Sequence, residues 1–228
     1  MPTSRLAALQ PHTSQPSRLV RSNRPCRRLR CQGSSCSDLE SFWRTSKCAA
    51  GQLRVEALRE ETMEGAGNLL CRAFAGTPEG RPIKIVMDGL EVALTEFAKE
   101  HKGTRGGVFL VGILEDTQQV VGTAAISFFD ATREELAPEP PQDSAYLSNV
   151  AVLDKLRGKG IGKVMVRAAE EAVVLFSDRR KLYLHVRDNN QEAVGMYLSE
   201  GYMEIETYAP LPRWISNRPA MVLMAKSL

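Results

Sequence analysis

The apolar residues of this chain switch repeatedly between the periods of strands and of helices. Residues 52–58 read as a first strand, and 62–75 as a helix that gathers Met63, Ala66, Leu69, Leu70 and Ala73 on one side. Gly76, Pro78 and Pro82 break it. Ile83, Val86, Met87, Leu90, Leu94 and Phe97 then recur at helical spacing over 83–101, and Gly103 ends that run. Two β-favouring runs, 108–115 and 120–129, flank a short polar turn and predict a hairpin. An acidic, proline-containing loop follows over 130–143. Beyond it come a strand at 145–152, a glycine-rich turn, an amphipathic helix to about 176, a strand at 181–187, a helix at 190–200, and strands near 202–208 and 218–226. The resulting order, β-α-α-β-β-β-α-β-α-β-β, contains no internal repeat and predicts one mixed α/β domain.

The glycine-rich turn carries the clearest chemistry. Arg157-x-x-Gly160-x-Gly162 stands between a strand and a helix. Glycines there let successive backbone N–H groups face one concavity, and the helix start adds partial positive charge, so the turn suits a phosphate or pyrophosphate. Two familiar cradles do not fit. A Walker loop needs four residues between its first Gly and the Gly-Lys, then Ser or Thr; Gly158 and Gly162 enclose Lys159, Gly160 and Ile161, and Val164 follows Lys163. A dinucleotide fingerprint needs a third Gly where Lys163 stands, within a repeating βαβ pattern that is absent here.

The Arg-x-x-Gly-x-Gly pattern resembles the pyrophosphate-binding motif of the GCN5-related N-acetyltransferase (GNAT) family. Downstream, the strand Leu182-Tyr183-Leu184-His185-Val186 precedes Asn190-x-x-Ala193-x-x-x-Tyr197-x-x-x-Gly201-Tyr202, which is similar to a second motif of the same family. The two motifs stand in the right order, and the resemblance covers roughly residues 52–228. The resemblance implies an α+β GNAT fold: a mixed central sheet of about seven strands, splayed between its fourth and fifth, with about four helices around it. It also implies acetyl-coenzyme A as co-substrate. On that reading Val150, Ala151 and Val152 pair with the pantetheine arm. Arg157, Gly158, Lys159, Gly160, Ile161, Gly162 and Lys163 hold the pyrophosphate, and Asn189, Asn190, Ala193 and Tyr197 flank the arm and thioester. Tyr197 matches the position of the acid that protonates the coenzyme sulfur. Tyr146 on the fourth strand and His185 on the fifth resemble a pair that relays the amine proton in certain protein N-terminal acetyltransferases, with Ser148 and Asn149 the nearest polar alternatives. Attack is expected to be direct, in a ternary complex, because Cys71 on an early helix is a poor acyl carrier. No metal is expected.

Composition decides what surrounds that domain. The first 37 residues hold seven Arg, seven Ser, four Pro and no acid, so a chain of net charge +3 is acidic once they are set aside. Residues 1–48 therefore read as a disordered transit peptide, plastid rather than mitochondrial, ahead of an acetyltransferase domain at 49–228. A nucleic-acid partner loses its support with that segment, and no apolar run is long enough to span a bilayer. Cys26, Cys31, Cys36 and Cys48 fall in the leader or at its edge and lack the paired spacing of a zinc site. The acceptors implied are protein or peptide amines. A free α-amine near pKa 8 needs about 1 unit of deprotonation at pH 7, against about 3.4 for lysine, so N-termini are the easier target. Plastid members of the family, some of which act on both, are the nearest resemblance; a small arylalkylamine acceptor such as serotonin, or a non-catalytic coenzyme-binding role, are the alternatives. The loop at 208–218, with Tyr208 and Trp214, is the place for acceptor contacts, and the acids Glu134, Glu135, Glu139 and Asp143 could draw a cationic one. Oligomeric state is not legible.

Overall fold

A computed structural model describes residues 42–77, 80–101, 104–129, 137–142, 144–209 and 219–228. The helices form where the apolar period requires. α1 (Glu60–Ala73) turns Ala66, Leu69 and Leu70 inward, and α2 (Ile83–Ala98) buries Leu90 and Phe97. Acids at Glu60 and Glu61 and Arg72 at the far end match the helix dipole of α1.

Ten strands are described. β1 (Trp43–Cys48), β2 (Gly51–Ala57), β5 (Gly107–Leu114), β6 (Gln119–Ser127), β7 (Ala145–Val152), β8 (Lys181–Arg187), β9 (Met203–Tyr208) and β10 (Met221–Ser227) form one sheet in the order β1-β2-β5-β6-β7-β8-β10-β9. β3 (Glu100–His101) and β4 (Thr104–Arg105) make a separate small hairpin. The expected α+β fold is present, with eight strands in the main sheet. β5 is buried at every position, because α1 and α2 pack over the sheet centre and α3 (Ile161–Phe176) covers β5, β6 and β7.

The extra strand is β1, and it corrects the expected boundary at 48/49, which falls inside a hairpin. Trp43 pairs with Glu56 and Cys48 with Gly51, so residues 43–48 belong to the sheet and Phe42 beside them is buried. The rest of the expected leader, 1–41, lies outside the described residues, as do Glu134, Glu135, Asp143 and Trp214.

All neighbours in the main sheet are antiparallel except β7 and β8. A parallel pair needs a long crossover, and α3 supplies it. The pairing covers Ala145↔Leu182, Tyr146↔Tyr183 and Leu147↔Leu184 and then stops, although both strands continue. The sheet is therefore split at the carboxyl ends of β7 and β8, as the resemblance implies.

Helix α4 (Gln191–Ser199) is locked to α3 beside that split. A Cβ on Gly162 would meet Met196 Sδ at 2.8 Å, so glycine permits the close approach. Arg167 makes a two-pronged bond to Glu200 at 2.6 and 3.0 Å, and Lys163 Nζ reaches Ser199 Oγ at 2.8 Å and Glu200 at 3.4 Å. The Arg167 hydrogen bond, more than any other cause, holds the buried Glu200 carboxyl below its ordinary pKa. Its stabilising contribution is complete above the unfolded carboxylate value of about 4.3 and is lost as pH falls through the lower folded value. Glu200→Gln is expected to melt earlier than wild type at pH 7, with the gap closing towards pH 3. A gap equally wide at both pH values would rule this account out.

Candidate active site

The split and the elements leaving it build the site. β7 gives one edge to β6; beyond Leu147 its other edge has no pairing with β8. An extended ligand can add to such an edge as a strand would. The register between β6 and β7 shifts between Ala125↔Ser148 and Thr123↔Ala151, which puts one extra residue into β7 at this point. Asn149 takes a positive φ of 50° there, and the fully buried Thr123 donates its hydroxyl to the Asn149 carbonyl at 2.8 Å. Thr123 thus holds the bulge in place. Val150 and Val152 are half-buried and Ala151 buried along this edge.

After β7 a single 3₁₀ turn (Asp154–Leu156) leads into the glycine-rich loop. Gly158 at φ 71° and Gly160 at φ 87° both adopt the left-handed conformation, and Gly160 is the N-cap of α3. No acid lies in the first turn of α3 to oppose an anion, and the first N–H groups of a helix have no partner within it. Residues 157–160 are exposed. A Cβ at Gly158 would meet nothing within 4 Å, so the concavity is open. These features fit the pyrophosphate of a coenzyme A derivative. Arg157 is exposed and paired with Asp154 at 2.7 Å. Ile161 is buried, and Lys163 turns its ammonium to the end of α4.

α4 starts across the split, at the end of β8. Asn190 caps it, its Oδ1 accepting from Ala193 N at 3.3 Å; Asn189 and Asn190 are exposed and Ala193 half-buried. Tyr197 is buried, and its ring meets Tyr202 edge-on at 5.6 Å. Burial raises the Tyr197 phenol well above its ordinary value, which keeps it protonated at any working pH.

Tyr146 and His185 meet. Tyr146 OH lies 2.9 Å from His185 Nδ1, and His185 Nε2 lies 2.8 Å from the Pro138 carbonyl. A carbonyl can only accept, so Nε2 carries the hydrogen and Nδ1 accepts from the tyrosine. Burial lowers the His185 pKa, with the Pro138 bond opposing, which favours this neutral form. Tyr146 clusters with Tyr183, Leu223 and Ala225, apart from the main core that includes Tyr197. The alternatives Ser148 and Asn149 are half-buried and exposed respectively. Pro138 and Thr123 are supporting residues that no motif signalled; each acts through a contact between segments distant in sequence.

The sequence profile described as the acetyltransferase (GNAT) family matches residues 81–202, more than half of the chain. A curated relative, the chloroplastic GCN5-related N-acetyltransferase 5 of Arabidopsis thaliana, is 26% identical over 208 residues, covering 83% of this chain and 63% of the relative. Among solved structures, a ribosomal-protein-alanine N-acetyltransferase from Brucella melitensis aligns with a TM-score of 0.56 at 21% identity, over 76% of this chain and 99% of that one. The GNAT domain of S. lividans PAT aligns with a TM-score of 0.57 at 14% identity, over 82% and 97% respectively, and at such identities both speak for the fold. The split sheet, the glycine turn before α3 and the family match agree: this chain belongs to the acetyltransferase (GNAT) family.

Proposed function

We propose that this enzyme transfers acetyl from acetyl-coenzyme A to protein N-terminal α-amines, and to lysine ε-amines more slowly, within the plastid. The observation that carries the reading is the Tyr146–His185–Pro138 chain at the split, which offers a proton acceptor chain of defined tautomer. Acetyl-coenzyme A supplies the thioester. The open edge of β7 at Val150–Val152 would take its pantetheine, and the turn at 157–163 its pyrophosphate, with Asn189, Asn190 and Ala193 on the far side.

As the amine nitrogen bonds to the carbonyl carbon, its proton passes to the Tyr146 oxygen, directly or through one water. The Tyr146 hydroxyl proton passes in turn to His185 Nδ1. The resulting imidazolium is steadied by its Nε2–H bond to Pro138. When the carbon–sulfur bond breaks, Tyr197 donates to the departing sulfur. An α-amine suits a base of this strength better than lysine, whose deprotonation at pH 7 costs about 3 kcal/mol more.

The chloroplastic relative and the arginine- and serine-rich, acid-free start of the chain support a plastid address. A targeting segment that leaves the sheet intact ends before Phe42, since β1 begins at Trp43.

Thiol release by the full chain tests the acceptor. Peptides with free N-termini are expected to react fastest and N-blocked peptides containing lysine more slowly. Release with serotonin alone would overturn the proposal in favour of a small-amine acceptor. Tyr197→Phe is expected to lose about 100-fold in kcat with coenzyme affinity unchanged. Full activity in that variant would remove Tyr197 from the mechanism.

A further inference from the structure

β1 runs along α3 and is fastened to it at three heights. At the far end, Phe42 packs edge-on against Phe176 with centroids 5.8 Å apart, and the Arg44 guanidinium lies 4.9 Å over the Phe42 ring. Midway, Arg44 binds Glu171 through both prongs, at 2.7 and 2.5 Å. Such a planar two-bond pair fixes direction as well as distance. At the near end, the β1–β2 turn touches the cradle itself: Ala49 N–H donates to the Lys159 carbonyl at 3.1 Å. A Cβ placed on Gly160 would come 3.9 Å from Cys48 Cβ. Lys159 lies between the two left-handed glycines whose backbone shapes the anion site.

That geometry has a consequence for binding. A loop with glycine at two of its four exposed positions has many conformations open to it, and turning its amides towards one point costs entropy. Anchoring the Lys159 carbonyl from behind restricts the peptide unit that also carries the Gly160 N–H, before any ligand arrives. Pre-organisation of this kind is returned as affinity. We propose that the β1–β2 hairpin is a brace for the coenzyme cradle, with Ala49 and Arg44 as positioning residues that set donor affinity without touching the donor. This rests on the assignment of the 157–163 turn to the coenzyme. Because coupling is reciprocal, a filled cradle must also hold β1 more firmly against the sheet.

The test uses the full chain with Ala49→Pro, which removes the N–H, and Arg44→Gln, which loosens β1 from Glu171 without altering the backbone. Binding of coenzyme A is measured by calorimetry, and amide exchange at residues 159–163 and 43–48 with and without it. Ala49→Pro is expected to raise the Kd about 5- to 10-fold, the worth of roughly one hydrogen bond. Arg44→Gln should move it in the same direction by less, and both should leave kcat at saturating donor unchanged. Exchange at 159–163 should quicken in the ligand-free variants, and bound coenzyme A should slow exchange at 43–48 in wild type. A general loss of stability would instead quicken exchange throughout the sheet. Unaltered exchange at 159–163 in both folded variants would overturn the brace. Faster exchange at 159–163 in the variants, together with a wild type that does not bind coenzyme A, would leave the brace standing and sink the donor assignment.

Discussion

His185→Gln should lower kcat/KM for a free-N-terminal peptide by about 10²- to 10⁴-fold, the range for losing a positioned general base. Glutamine retains a polar, hydrogen-bonding side chain of similar reach but cannot take up a proton, so the fold is expected to survive with a nearly unchanged melting temperature. The pH dependence gives the sharper reading. Burial lowers the pKa of His185, so with the rate expressed per neutral amine, which removes the substrate's own ionisation near pH 8, the acid limb of the wild-type kcat/KM profile should lie below the ordinary histidine value of about 6.5. Activity attributable to the pair is complete above that limb and falls as pH drops through it. In His185→Gln the limb should vanish. Tyr146→Phe, which breaks the chain at its other member, should reduce the rate similarly, and the double variant should cost little more than either single one. If His185→Gln keeps both its rate and its acid limb, the proton leaves the amine by another route.

Gly160→Ala should weaken coenzyme A binding by about 10-fold or more while sparing kcat at saturating donor. Space does not forbid the methyl group, since its nearest neighbour would be Cys48 Cβ at 3.9 Å. The obstacle is the backbone: at φ 87° an L side chain is strained, typically by about 1–2 kcal/mol. The loop can relieve that strain by rotating its peptide units, and in doing so it turns amides out of the cradle. Either the strain is carried into the bound state or the amide geometry is lost; both appear in Kd. Calorimetric titration with coenzyme A, alongside a thermal melt to separate folding from binding, decides it. Wild-type affinity in a folded Gly160→Ala protein would mean that the pyrophosphate does not bind at this turn.

Much of the fold could be read from the chain because its cues are local. The apolar stripes of α1 and α2 appear at helical spacing, and the limits of β7 and β8 coincide with the expected 145–152 and 181–187. The cradle was equally legible, because two glycines at the mouth of a helix announce their own backbone geometry. β1 was not. Its sequence, Trp-Arg-Thr-Ser-Lys-Cys, alternates exposed and half-buried side chains with little apolar content, and its neighbours are a strand edge and the flank of α3. Nothing within those six residues states that Arg44 will meet Glu171 or that the next turn will reach Lys159. The bulge at Asn149 was hidden for a similar reason. It carries no glycine, and its positive φ is held by a threonine on the adjacent strand.

What the sequence determined by itself was most of the elements, the left-handed glycine turn before α3 and the residue types available at the split, since propensity, period and glycine placement act over a few neighbouring residues. What the tertiary structure decided was which of those residues act together. Tyr146 and His185 stand 39 positions apart, and only the parallel pairing of β7 with β8 sets them on one face. The tautomer of that histidine depends on a carbonyl 47 positions away. The split exists because two strands share three residue pairs and then part. Such relations are set by the closing of long loops and the packing of distant surfaces, and no local pattern of residues encodes them.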